Sequence, residues 1–586
     1  MPPTEKEIPQ NRPGAFLRLR VRLAELLRPN QLQVRLFWAG VIGFAGACAS
    51  VGFRKLTSLV HFALTQRNAG DVESFSQLPV WGRLVIPAIG GVLAGFAITF
   101  GMRWSRKRIS TDYMEAIVLG DGILPVRASL VKSLSALFSV ASGASIGREG
   151  PLVQLSAMIG SLVGRMRKTP TLQLRLLVAC GAAAGIASAY NTPIGGALFV
   201  AEIVLGSLAM ETFGPLVFAS VIATLTVRQF LGEQPLYRIP PVRLGSNWEI
   251  LPHVLLGLLA GLLAPWFLRL LRGSERLFSK LALPAFLRLG LGGLIVGVLA
   301  MRYPEVCGNG TSVVNQILRG DLIWQTLLIL LVLKLVATAA TFGSGAVGGV
   351  FTPTLFLGAC LGTLFGHGLQ VIWPGSPVLA QAFTVVGMGA LLAATTHAPI
   401  MAIIMIFELT LDYQIILPLM LACVVAHYTC MRFEKKSIYA ESLKRKGAGG
   451  FDQYLEGLRL ADLIKPDPLC VNEDAGFRAI VENFVAHRYN FLYVTGGDGK
   501  FRGAISLHDI KSYLDNLDLA NLVIARDIMR EHFPTISPDA SLHEALERFA
   551  HHDGERLPVT LGGGNGRLVG SVSKADLILA LAERAK

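Results

Sequence analysis

From about residue 36 to residue 431 the chain is almost continuously apolar. Runs such as 251–271 and 322–340 each reach the ~20 residues that a helix needs to cross a bilayer. Of the 586 residues, 52% are hydrophobic and only 16% are charged, where soluble domains carry about 25%. Such a chain is an integral membrane protein, and the disordered, collagen-like and ordinary soluble-enzyme classes are excluded. Lipid offers no water to the backbone, so spanning segments must close their own hydrogen bonds as helices. The other apolar runs, 151–164, 193–205 and 399–411, are short or broken by Gly and Pro. Helices that stop inside a membrane are tolerated only around a cavity or site. The expectation is an all-α polytopic membrane protein with broken helices.

Charge divides the chain. Residues 1–450 hold 39 Lys and Arg against 20 Asp and Glu, and residues 451–586 hold 15 against 20, so the net +14 is a balance of +19 followed by one of −5. A basic membrane part with an acidic tail argues against a nucleic-acid partner and fits the positive-inside rule or a path that concentrates anions. The Arg-rich segment 11–35 has Phe16, Leu17, Val21, Leu23 and Leu26 between its arginines. It reads as an amphipathic helix on the cytoplasmic surface, not a signal peptide. This predicts a prokaryotic cytoplasmic (inner) membrane with both termini in the cytoplasm. The seven cysteines show neither pairing nor ligand spacing, which gives no disulfide framework and no metal site.

The membrane part repeats itself. At an offset of 202, Ser142-Gly143-Ala144 matches Ser344-Gly345-Ala346, and Lys132, Gly147, Pro151, Gly160 and Gly164 match Lys334, Gly349, Pro353, Gly362 and Gly366. At an offset of 206, Gly181, Pro193 and Glu202 match Gly387, Pro399 and Glu408. Shared Gly is common among membrane helices, but Lys, Pro and Glu in one order point to two related halves, about 36–235 and 250–436. In membranes such halves are often inverted repeats with a site at their interface. The tail repeats at an offset near 65: Gly503-x-x-Ser506-x-x-Asp509 matches Gly570-x-x-Ser573-x-x-Asp576 after a Gly-rich hairpin turn in each copy. Each copy reads strand, helix, strand, turn, strand, helix.

The sharpest segment is Gly143-Ala144-Ser145-Ile146-Gly147-Arg148-Glu149-Gly150-Pro151, which marks a helix start with Pro151 in its first turn. A charge at mid-membrane costs ~2.5–3.5 kcal/mol, so Glu149 needs a reason. It is either a carboxylate stabilised by a helix N-terminus, or a tethered competitor for an anion that such an N-terminus is built to hold. In the second reading protonation vacates the seat, which makes Glu149 gate and proton carrier together. The second-half counterpart, Gly348-Gly349-Val350-Phe351-Thr352-Pro353, has no acid, and by repeat symmetry the two helix starts converge on one anion. Lys132 and Lys334 read as buried cations in matching places, with a pairing role set against a contribution to an anion-attracting field.

Gly147-Arg148-Glu149-Gly150-Pro151 followed by Gly349-Val350-Phe351-Thr352-Pro353 resembles two signature motifs of the CLC chloride channel and chloride–proton exchanger family. Ser437-Ile438-Tyr439 resembles that family's final helix, and the paired tail copies resemble a CBS-domain pair. The resemblance covers roughly residues 35–586. It implies that Glu149 is the gating glutamate and that Tyr439 donates its hydroxyl to a central anion. Gly147, Arg148, Gly150, Gly349, Val350 and Phe351 then bring backbone amides to the anion. It also implies a homodimer with one pore per subunit, and chloride as ligand with no required cofactor. The domains become an N-terminal segment 1–35, a transmembrane domain 36–436, a linker 437–455, and α/β CBS copies 456–519 and 520–586. Ser506, Asp509, Ser573 and Asp576 stand where CBS domains that bind adenine nucleotides place ribose contacts, though each is also an ordinary helix N-cap.

Two departures from the family pattern matter. The family's first motif, a turn whose serine faces the central anion, is missing; counting places its equivalent near 107–111, with Ser110 a poor substitute. The position that carries the internal proton-transfer acid in many exchangers is Ile203, after Leu198-Phe199-Val200-Ala201-Glu202. Glu202 and Glu408, at equal repeat positions, read as structural caps or pairs. A chloride channel is thus favoured over a chloride–proton antiporter. A cation transporter would need clustered membrane carboxylates, and only isolated acids are present. A membrane enzyme would need a motif such as a zinc-binding His pair, whereas His61, His367, His397 and His427 are scattered.

Overall fold

A computed structural model describes residues 31–67, 71–104, 112–118, 120–232, 236–237, 250–373, 380–439, 460–466, 468–487, 490–514, 522–550, 554–562 and 566–577. The Arg-rich segment up to residue 30, Ser110 and the basic stretch 444–450 lie outside them. The residues fall into two compact units, within 1–446 and within 447–586. Among the described residues nine helices are long and apolar enough to cross a membrane.

The membrane unit runs α1 Gln31–Thr65, α2 Val80–Trp104, α3 Tyr113–Val118, α4 Val126–Ala141, α5 Glu149–Met166, α6 Thr171–Tyr190, α7 Pro193–Leu198 and α8 Met210–Leu231. The second half runs α9 Ile250–Lys280, α10 Ala285–Arg302, α11 Thr311–Arg319, α12 Trp324–Gly343, α13 Phe351–Ile372, α14 Ala380–Thr396, α15 Pro399–Thr410 and α16 Ile416–Phe433. The shared residues have shared geometry. Helix α4 ends with Gly143 at φ +86° and α12 ends with Gly345 at φ +94°, a left-handed stop that glycine adopts without penalty. Ser142, Gly143 and Ala144 donate to the carbonyls of Phe138, Val140 and Ser139; Ser344, Gly345 and Ala346 donate to Ala340, Phe342 and Thr341, the same pattern 202 residues on.

Packing follows the repeat as well. A Cβ on Gly160 would lie 2.3 Å from the Leu177 carbonyl oxygen of α6, and one on Gly362 would lie 2.0 Å from the Phe383 carbonyl oxygen of α14. The repeat glycines are therefore where α5 meets α6 and α13 meets α14 backbone to backbone, close contacts that replace hydrophobic drive inside lipid. Helix α7 is the shortest broken element: it begins at Pro193 after left-handed Asn191, and passes at Phe199 into a π-helical turn that ends at Gly206. Its counterpart α15 begins at Pro399 after His397, which is left-handed too.

The tail unit carries β1 Cys470–Asn472, α17 Phe477–Ala486, β2 Phe491–Thr495, β3 Phe501–Ser506, α18 Leu507–Leu514, α19 Leu542–Ala550, β4 Arg556–Leu561 and β5 Arg567–Ser573. In the first copy β1 pairs parallel with β2, and β2 antiparallel with β3. In the second, β4 and β5 form the antiparallel pair, and the first strand is reduced to the single parallel bridge Ile536–Val559. That bridge is the counterpart of Val471–Val494 in the first copy. Each copy has its own apolar core, around Ile480, Val494 and Ile505 in one and Leu557, Val559 and Val572 in the other.

Candidate functional site

The starts of α5 and α13 meet at one point. Gly147 donates to the Gly349 carbonyl at 2.7 Å and Gly349 donates back to the Gly147 carbonyl at 3.0 Å, an antiparallel bridge between repeat-equivalent residues. Reciprocal contact between equivalents is what a two-fold axis between inverted halves produces. Helix α5 begins at Glu149, which leaves Pro151 in its first turn as expected from sequence, with Arg148 as its N-cap, half-buried and outside the lining of the cavity described below.

Glu149 leaves its own helix and crosses to the other half. Its Oε1 accepts the Phe351 N–H at 3.0 Å and the Thr352 N–H at 3.2 Å, and the Thr352 hydroxyl stands 3.5 Å from its Oε2. The first turn of α13 has no side-chain cap from its own N-cap residue, Val350, so a carboxylate from the opposite half takes that place. The side chain is 4% exposed. Two hydrogen bonds to a charged group contribute about 1.5–3 kcal/mol each, enough to offset the ~2.5–3.5 kcal/mol insertion cost. Any small anion that replaced the carboxylate would meet the same N–H pair and helix dipole.

Beside this contact lies a cavity of about 320 Å³. Gly150, Gly349 and Val350 form the wall it shares with the helix starts, and Tyr113, Lys132 and Tyr439 line the rest of it along with Asp112 and Glu275. The structure thus gathers Gly147, Glu149, Gly150, Gly349, Val350, Phe351 and Tyr439 in one place. The Tyr439 ring stands edge-on to Phe199, 5.4 Å between centroids. The two lysines are not alike: Lys132 is half-buried at the cavity, whereas Lys334 is fully buried, donates to the Val306 and Gly308 carbonyls at 2.9 Å each and lies 5.1 Å from the Phe356 ring centroid. The expectation of a buried cation holds for Lys334, whereas Lys132 is only half-buried because it lines the cavity.

Glu202 and Glu408 cap each other's half. Glu202 accepts the N–H groups of Ile400 and Met401 at the start of α15, at 3.3 and 2.6 Å. Glu408 accepts those of Ile194 and Gly195 at the start of α7, at 2.9 and 2.7 Å. Both are structural caps, as their repeat positions suggest. Ile203 follows Glu202 in the π-helical turn, half-buried against the core.

In the tail, Arg530 donates to Asp509 at 2.6 and 3.0 Å, and Lys465 lies 2.8 and 3.0 Å from the oxygens of Asp576. Ser573 donates to Asp576 at 2.6 Å, and Ser506 accepts the Asp509 N–H at 3.2 Å. Each acid is held by a cation from the other copy, and the backbone bridges Lys465–Ser571 and Ala504–Arg530 run alongside. Burial opposes the charge of Asp509, but the Arg530 and Ser506 hydrogen bonds outweigh it and hold its carboxyl below the usual range. Lys465, then Ser573, do the same for Asp576.

The chain matches the family described as voltage gated chloride channel over residues 90–431, and the CBS domain over 460–516 and 525–583. It is 52% identical over 411 residues to a ClcB-like protein of Ralstonia nicotianae, covering 70% of this chain and 96% of that one. This chain belongs to the voltage-gated chloride channel (CLC) family. The Citrobacter koseri voltage-gated ClC-type chloride channel ClcB is 40% identical over 414 residues, 70% of this chain and 98% of that one. Among solved structures, a slow cyanobacterial Cl⁻/H⁺ antiporter overlays with a TM-score of 0.62 at 25% identity, over 70% of this chain and 97% of its own. A eukaryotic CLC transporter shares the fold at 19% identity and a TM-score of 0.62, over 94% of this chain and 98% of its own.

Several residues of this candidate site, Asp112, Tyr113, Glu275, Thr352 and Tyr190 among them, carried no functional reading in the sequence. Thr352 stood within a motif but without a role. Tyr190, whose hydroxyl is 2.9 Å from that of Thr352 across 162 residues, gave no signal at all, because only folding brings the end of α6 to the start of α13.

Proposed function

We propose that the protein conducts chloride and related anions across a prokaryotic inner membrane, as a homodimer with one pathway in each subunit, and that Glu149 gates that pathway. Residues 36–436 form the transporting domain, and 456–586 a cytoplasmic CBS pair. The observation that carries the reading is the Glu149 carboxylate lying on the Phe351 and Thr352 N–H groups, beside a cavity lined by Gly150, Gly349, Val350 and Tyr439. A carboxylate and a halide compete for such a place because both satisfy the same donors. Protonating Glu149 weakens its hold and admits the anion. Tyr439 and the amides of Arg148, Gly150, Val350 and Phe351 serve the anion further along; those of Gly147 and Gly349, expected from the sequence to join them, donate to each other's carbonyls instead.

Passive conduction is favoured over proton exchange because Ile203 cannot carry a proton. The exchanger reading draws on the likeness to the cyanobacterial antiporter. An adenine nucleotide that contacted Asp509 or Asp576 at the CBS pair would displace Arg530 or Lys465 from it. The test is anion efflux from liposomes that hold the full chain. Glu149→Gln should raise flux at neutral pH by about tenfold and remove its pH dependence; a mutant that keeps the wild-type pH profile would strip Glu149 of the gating role.

A further inference from the structure

Glu149 is not held by backbone alone. Thr352 presents its N–H to Oε1 and its hydroxyl to Oε2, 3.2 and 3.5 Å away. The Tyr190 hydroxyl lies 2.9 Å from the Thr352 hydroxyl, and the Tyr190 ring packs at 4.8 Å on that of Phe351, the other residue whose N–H the carboxylate accepts. Tyr190 and Thr352 are both buried, at 4% and 2% exposure. A carboxylate can only accept, so with Thr352 donating to Glu149 its oxygen is left to accept from Tyr190. The order Tyr190 to Thr352 to Glu149 then has every proton directed toward the charge, and donors aligned in series reinforce one another.

We propose that Tyr190 and Thr352 form a hydroxyl latch that holds Glu149 in its closed position on the α13 start. This deepens the gating reading above and rests on it. Tyr190 is a positioning residue that bears on the gate both through Thr352 and directly, its hydroxyl also facing the Glu149 carboxylate, while Thr352 touches the gate itself. Helix α6 ends at Tyr190 and left-handed Asn191 follows, so the first half holds, from a second helix, the acid that it sends across from α5. The latch favours the ionised, seated acid over the protonated, released one. Losing it should open the pathway at a higher pH than in wild type.

The test is the pH profile of anion efflux from liposomes containing full-length variants. Tyr190→Phe keeps the ring on Phe351 and removes only the hydroxyl; Thr352→Val removes the next hydroxyl in the chain, and Thr352→Ser restores it. Tyr190→Phe and Thr352→Val should each raise flux at neutral pH about fivefold and move its half-maximal pH upward by about 0.5–1 unit, while Thr352→Ser should stay at the wild-type midpoint. In the Glu149→Gln background neither substitution should add a pH effect. If Glu149→Gln abolishes the pH dependence while Tyr190→Phe and Thr352→Val leave the midpoint unmoved, the latch is overturned and the gate stands. If Glu149→Gln itself leaves the profile unchanged, the gate and the latch fall together.

Discussion

Lys132 and Lys334 occupy equal places in the two halves, yet one lines a cavity and the other is tied to two carbonyls. Lys334→Met keeps the length of the side chain and leaves the Val306 and Gly308 carbonyls without that donor, a cost of about 1–3 kcal/mol. The expected readout is a lower thermal midpoint of the full chain with the anion-flux pH profile unmoved. Gly349 makes the opposite kind of prediction. A Cβ there would stand 2.4 Å from Cγ of Glu149 and 2.6 Å from its Cδ, so Gly349→Ala should push the acid from its place. Flux at neutral pH should rise and its pH profile flatten as in Glu149→Gln; a wild-type profile would mean that the acid retains its position despite the methyl group.

At the scale of helices, the chain is assembled from pairs that touch where side chains are absent. Gly362→Val would drive its side chain into the Phe383 carbonyl of α14, and overpacking of this kind costs about 1–3 kcal/mol. The measured effect should be a loss of folded protein on heating that exceeds that of Gly368→Val, whose Cβ meets nothing within 4 Å. The crossed caps are a second element-level device. Glu408 supplies α7, too short to hold itself together by its own hydrogen bonds, with acceptors from the other half. Glu408→Ala should cost about 0.5–2 kcal/mol, read as a lower thermal midpoint.

Over the whole molecule, two-fold logic appears twice: Gly147 meets Gly349 across the membrane halves, and Lys465–Asp576 mirrors Arg530–Asp509 across the tail copies. Both tail carboxyls are held below the ordinary value near 3.9, so their ionised forms stabilise the folded state. That contribution is complete above about pH 4 and is lost as pH falls through the lowered values. The four side chains are part-exposed, between 19% and 56%, which limits each pair to about 0.2–1 kcal/mol. Hydrogen exchange in the full-length protein should show the tail loosening only below pH 4, with an earlier onset in Asp509→Asn. Transport supplies the other whole-molecule prediction. On the proposed reading, in which Ile203 leaves no acid to relay protons, the reversal potential should follow the chloride gradient alone and ignore an imposed pH gradient. A fixed chloride-to-proton ratio would establish exchange instead.

What the sequence determined by itself is everything that depends on local or periodic chemistry. Apolar length required a membrane, Gly and Pro marked the broken helices, and the offsets of 202 and 206 exposed the halves. An acid flanked by glycines at Glu149 marked the site, because a lone charge in lipid needs a partner. The resemblance added Tyr439, which lines the cavity, while Ser110 lies outside the described residues. Only the tertiary structure decided which partner each group takes. Glu149 could have capped its own helix, but the Gly147–Gly349 bridge delivers it to the start of α13. Equal lysines came to unequal places, Tyr190 joined a site 162 residues away, and the tail acids met cations of the opposite copy. Nothing in a linear pattern encodes those choices, since each is made by a contact between segments that approach one another only in the folded chain.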